Sequence, residues 1–161
     1  MAEFDKTAYA AERGLEDTKA ANATTQATGQ ILILINGGAS TATLTFAAAG
    51  SPPIRIDQLV LGSSLILFAL GVIYATKYMG YQGRRLEDWS TYWSARAGMW
   101  PDEMGASARD RANDLDKKVG FAFRVSVISF VLGVTFLGLD IILQPIVSLI
   151  KVSYPTTHFW F

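Results

Sequence analysis

The chain has no cysteine, a single histidine (His158) and no surplus of either charge, with 14 basic and 14 acidic residues among 161. The missing cysteines exclude disulfide frameworks, thiolate zinc sites, iron–sulfur clusters and thiol nucleophiles. One histidine leaves no pair for bis-histidine haem within the chain. A balanced charge without a basic, aromatic-interleaved patch gives no electrostatic footprint for nucleic acid. The sequence also has no P-loop, no G-x-G-x-x-G, no H-E-x-x-H and no G-x-S-x-G. Asp110, Asp114 and Asp116 lack the order and the glycine of a calcium loop and read as a solvated helical face. No catalytic, cofactor-binding or metal-binding residue is therefore assigned.

Charge is also missing locally, and that absence is informative. Residues 26–50 carry no charged side chain, residues 58–76 carry none, and residues 125–150 carry only Asp140. A helix needs about 20 such residues to cross ~30 Å of hydrocarbon. Three runs predict an all-α, polytopic membrane protein with three transmembrane helices, here placed at 26–49, 59–79 and 119–150. A cleaved signal peptide needs a short basic leader; the 25 residues before the first run hold five acids and three bases, which argues against it.

The remaining segments follow from these spans. Residues 1–25 form a polar, helix-prone arm, and 50–58 a tight turn marked by Gly50, Ser51, Pro52 and Pro53. Residues 80–118 are a long hydrophilic connection, and 151–161 an aromatic tail. Within the connection, Leu86, Trp89, Trp93, Ala97 and Trp100 recur every three or four residues, so a helix puts them on one face. Such a Trp-bearing amphipathic helix lies at a membrane surface or caps the protein's own bundle, and both uses need the same face. Pro101 ends it, and Asp102 and Glu103 start a second polar helix.

Twelve of the basic residues fall on the arm, the long connection and its flanks; only Arg55 and Lys151 fall on the other side. The positive-inside bias puts the N-terminus and the connection in the cytoplasm and the C-terminus outside. On that side the N-x-T sequence at Asn22 has no consequence.

Each span carries small or polar residues at helical spacing. In the first these are Asn36, Gly37, Ser40 and Thr43; in the second Ser64, Gly71 and Ala75; in the third Ser126 and Gly133. Lipid gives helices little hydrophobic reason to associate, so close backbone approach and interhelical hydrogen bonds must do it. The residues form one seam per helix, and three seams meet inside one bundle or across an assembly. Asn36 pairs with a neighbouring helix or lines a pore. Asp140, with Gln144 one turn on, is a candidate intramembrane polar site. It sits at the outer interface if the span ends near Leu143 and is buried if it ends near Ile150. Trp89, Trp93 and Trp100 are the expected interfacial residues.

The stretch Ile33-Leu34-Ile35-Asn36-Gly37-Gly38-Ala39, with a short second hairpin and a polar connection before the last span, resembles small three-span inner-membrane proteins of proteobacteria with an N-G-G-A motif in the first transmembrane helix. The resemblance implies a bacterial inner (cytoplasmic) membrane location with a periplasmic C-terminus, and no activity. The expected role is a non-catalytic integral membrane protein without cofactor. Its partners are the bilayer and either itself or other membrane-protein subunits, not nucleic acid. The alternative is a homo-oligomeric pore whose wet path is lined by Asn36, Ser40, Thr43 and Asp140.

Overall fold

A computed structural model describes residues 6–48 and 57–153. They form three helices: α1 (Lys6–Ala48), α2 (Gln58–Arg96) and α3 (Asp102–Ser153). All three are long and apolar enough to cross a membrane. They are also far longer than a membrane requires. At 1.5 Å per residue the 43 residues of α1 reach about 65 Å and the 52 of α3 about 78 Å, against ~30 Å of hydrocarbon.

The expected segments fall within longer, continuous helices. The arm, the Trp-rich segment and the second polar helix are not separate elements. The arm from Lys6 on is the first half of α1, the Trp segment is the last third of α2, and the polar helix is the first third of α3. The reason lies in the burial pattern of α3. Gly105, Ala108, Ala112, Val119, Ala122, Ser126, Ser129 and Gly133 are all buried, with Leu115 partly buried between them. This is a spacing of three and four that never breaks as the flanking faces change from charged to apolar. A continuous 3.5-residue seam keeps the same stripe toward the neighbouring helix, so nothing stops the helix at residue 118. The change from charged to uncharged flanks near residue 118 does not end the helix.

Only short breaks separate the helices. Arg96 ends α2; Ala97 donates its N–H to Trp93 O and Gly98 donates to Ala95 O. Gly98 has φ +75°, a left-handed conformation that glycine adopts without steric cost and that suits a helix C-terminus. Pro101 follows, and α3 begins with Asp102 and Glu103 in its first turn, where carboxylates complement the helix dipole, as expected. At the far end Asp57 caps α2, accepting a hydrogen bond from Leu59 N at 2.7 Å. The Pro52-Pro53 turn and the aromatic tail from Tyr154 lie outside the described residues. The helical assignment of α3 runs on through Pro145.

α2 is the central helix. It packs along its length against both α1 and α3, while α1 and α3 scarcely touch. Antiparallel contacts keep one register from end to end. On the α1 side Gly29 meets Met79 and Gly14 meets Trp93; on the α3 side Phe68 meets Gly133 and Ala95 meets Gly105. The polar end of α2 and α3 is further tied by Arg111 Nη2 to Asp88 Oδ1 at 2.8 Å, and by an ion-pair contact from Arg85 Nε to Asp116 Oδ1 at 2.8 Å. Both pairs are partly exposed, so each contributes less than about 1 kcal/mol. The close Gly105–Ala95 approach, where an added methyl would come within 2.7 Å of the Ala95 methyl, matters more for holding the hairpin tip.

Candidate functional site: the polar junction of the three helices

Asn36 is fully buried and lies where the three helices meet. Its Nδ2 donates to Leu32 O at 2.9 Å on its own helix and to Ser126 Oγ of α3 at 3.4 Å. Ser126, also fully buried, donates its hydroxyl to Gly71 O of α2 at 2.9 Å. One hydroxyl thus accepts from α1 and donates to α2. Asn36 Oδ1 has no conventional donor. It lies against Gly71, on the line a Cβ there would take. In glycine that line is a Cα–H bond, and a Cα–H···O contact is the weak partner that this geometry offers. A side chain at Gly71 would occupy the place of the Asn36 amide, so glycine is what lets α1 come this close to α2.

Around this junction the predicted residues distribute unevenly. Ser64, Gly71 and Ala75 of α2 are buried, as are Thr43 of α1 and Ser126 and Gly133 of α3; Ser40 is half-buried. Gly133 accommodates the ring of Phe68, which is completely buried and stands 6.2 Å from the Phe130 ring, centroid to centroid. Gly37 differs: a Cβ there would meet nothing within 4 Å, and the same holds for Gly38. Within the chain, Gly37 is not a packing residue. Leu32, Thr25 and Gly29 complete the buried stripe of α1 in its place.

The sequence reasoning missed a second way of satisfying a hydroxyl. Thr41, Thr45, Thr76 and Thr135 are exposed, yet each donates to the carbonyl four residues back, at 3.0, 2.8, 3.0 and 2.7 Å. Ser40 and Thr43 do the same, to Asn36 O and Ala39 O. A β-hydroxyl in a helix reaches the i−4 carbonyl without any neighbour. A threonine therefore does not mark a packed face, whereas an asparagine, whose amide has more groups than its own helix satisfies, does.

Asp140 occupies the opposite end of the bundle from the charged hairpin. Its Oδ2 accepts from Gln144 Nε2 at 3.0 Å, the partner expected one turn on, and from the backbone N–H of Asp57 at 3.0 Å. Asp140 is half-buried and level with the first turn of α2. A carboxylate at a helix N-terminus complements its unpaired N–H groups and its dipole. Asp140 thereby ties α3 to the start of α2. Asp140→Leu is expected to speed amide exchange at Asp57 about tenfold or more. Asp140→Asn, which keeps an acceptor oxygen, is expected to change it less, with exchange followed by NMR in detergent micelles.

Two of the tryptophans stand on α2 itself rather than on a separate helix. Trp89 and Trp93 lie on α2 about 18 and 24 Å beyond Lys77, the first charge after the uncharged run, counting 1.5 Å per residue. Trp93 is 46% exposed and Trp100, in the loop that follows, 52%. Trp93 packs on Gly14, and with Glu12, Leu15, Thr18 and Met99 it lines a cavity of about 470 Å³ between α1 and the hairpin tip. The Trp89 and Trp93 rings each contact Tyr92 edge-on.

Among the described residues no three His, Asp or Glu side chains gather as a metal site. No protein family, curated protein or solved structure matches the chain.

Proposed function

We propose that this chain is a non-catalytic integral protein of the bacterial inner membrane, with its N-terminus and hairpin tip cytoplasmic, that works by assembly. It is a homo-oligomer or a small structural or accessory subunit of a larger membrane complex. One observation carries the reading. The polar ends of the three helices form a stalk whose tip leaves Leu15, Trp93, Met99, Trp100 and Met104 each about half exposed, far along the helices from the apolar runs. Leu15, Trp93 and Met99 line one cavity; large apolar side chains grouped on a surface in water mark a protein contact, and Trp is among the residues most enriched at the centre of such contacts.

The junction residues support packing over conduction. Asn36 and, at the far end of the bundle, Asp140, two of the groups that a pore would present to water, are each hydrogen-bonded to another helix of the chain. Purification in a gentle detergent followed by native mass determination is expected to give a defined complex larger than one chain. The double substitution Trp93→Ala/Trp100→Ala is expected to weaken it by a hundredfold or more in dissociation constant, two hot-spot losses of about 2 kcal/mol each. A monomer at all concentrations, or a complex indifferent to both substitutions, refutes the reading. Planar-bilayer currents that respond to Asp140→Asn would put the pore in its place.

A further inference from the structure

The charged hairpin meets the apolar runs at a cleft between α2 and α3 that the assembly reading leaves unused. Tyr74, Lys77 and Tyr81 line it from α2, and Asp114, Lys117, Lys118 and Phe121 from α3; its volume is about 330 Å³. We infer that this cleft binds the headgroup of an anionic phospholipid, with the phosphate at the lysines and the upper acyl chain against the Tyr74–Phe121 pair. The inference rests on the membrane-spanning part of the proposed function and adds a specific ligand to it.

Three observations point to this ligand. The first is charge. The cleft holds three ammonium groups and one carboxylate, and that carboxylate is already engaged, because Lys118 Nζ lies 2.6 Å from Asp114 Oδ2. Lys118 donates a hydrogen bond to Asp114 and attracts it electrostatically, holding its carboxyl below the usual carboxylate range. Among the described residues, Lys77 and Lys117 are in no ion pair, and both side chains are exposed. The Lys77 ammonium rests 5.0 Å from the centre of the Tyr74 ring, a contact that holds a cation without neutralising it.

The second is polarity along the cleft. At its inner end Tyr74 and Phe121 meet edge to face, 5.9 Å between centroids, and Phe121 is 60% exposed. Lys118 and Lys117 stand three and four residues farther out on α3, and Tyr81 seven residues farther out on α2. Apolar rings below and cations above match the order of acyl chain and phosphate in a phospholipid; a soluble anion has no use for the rings.

The third is depth. Lys77 is the first charge after 19 uncharged residues of α2, about 28 Å of helix, so it marks the level where hydrocarbon gives way to headgroups. Basic clefts between helices at that level on the cytoplasmic side are where anionic headgroups bind.

The test uses the full chain in detergent micelles, exchanged into mixtures of phosphatidylglycerol and phosphatidylcholine, with retained lipid counted by native mass spectrometry. The expected result is preferential retention of phosphatidylglycerol that an excess of inorganic phosphate does not displace. Lys77→Gln/Lys117→Gln is expected to reduce the preference about 25-fold, roughly fivefold for each lysine. A control pair of equal charge loss away from the cleft, Lys19→Gln/Arg109→Gln, is expected to leave it unchanged. Circular dichroism should show unchanged helicity in both variants. Equal retention of the two lipids, or a preference that the cleft variant keeps, overturns the inference. Full displacement by inorganic phosphate overturns the lipid assignment in favour of a simple anion site. Extraction of the chain from native membranes by alkaline carbonate would overturn the membrane reading with it; a chain that stays in the membrane without lipid preference overturns the cleft alone.

Discussion

Gly71→Leu is expected to lower the stability of the folded chain by about 3 kcal/mol, measured as a shift in SDS-driven unfolding from mixed micelles, while Gly37→Leu leaves it within experimental error. The difference follows from what each new side chain would meet. At Gly71 even a Cβ collides with the Asn36 amide, whose atoms have no free space because Asn36 is fully buried among three helices. Either α1 separates from α2, or Asn36 rotates away and breaks its bond to Ser126. Overpacking of this kind costs about 1–3 kcal/mol and sometimes more. Loss of the interhelical hydrogen bond adds roughly 0.6 kcal/mol, the average in membrane bundles. At Gly37 a side chain points into open space. Gly37→Leu therefore acts on self-association if that face meets a second copy, and on nothing if it meets lipid. Equal destabilisation by the two substitutions would mean that the Asn36–Gly71 contact does not hold the bundle together.

Phe68→Ala should have the largest effect of any single truncation, about 3–5 kcal/mol in the same unfolding measurement. Phe68 is among the largest fully buried side chains and sits between α2 and α3, its ring against Gly133 and tilted on Phe130. Removing it leaves a void that the neighbouring helices cannot fill, since the close Gly105–Ala95 approach on one side of it and the Asp140–Asp57 bond on the other hold the register of α2 and α3. In lipid the loss is mostly of dispersion contacts, because an aliphatic environment outside the bundle offers little hydrophobic penalty. Gly133→Leu alone should also destabilise, as a Cβ there would come within 2.5 Å of the Phe68 ring. Combined, the two substitutions should recover part of the loss, because the side chain added in place of Gly133 fills the space left by the ring. A double-mutant cycle reports this as a coupling of about 1–3 kcal/mol, and strict additivity would refute the direct packing of the two residues.

Much of the architecture could be read from residue types because the membrane imposes a length. Three uncharged runs sufficed to predict three apolar helices, and the aspartate and glutamate after Pro101 sufficed to place the start of α3. The buried face of α2 was legible as well: Ser64, Gly71 and Ala75 all lie where spacing by three and four put them. Periodicity gave less on α1. There Gly37, despite its size, faces away from the other two helices.

What the amino-acid sequence determined alone, then, was which segments suit lipid, and which single residues, Asn36 above all, have more hydrogen-bonding groups than their own helix can satisfy. Those are properties of one segment and its solvent. Which glycine admits which neighbour, that Ser126 is the hydroxyl linking Asn36 to Gly71, that Asp140 reaches the N–H of Asp57, and that Trp89 and Trp93 continue the apolar helix α2 were decided by tertiary structure. Each depends on the register and rotation of one helix against another. A shift of one residue turns a helix by about 100° and would exchange every one of those partners while leaving the composition of each segment unchanged.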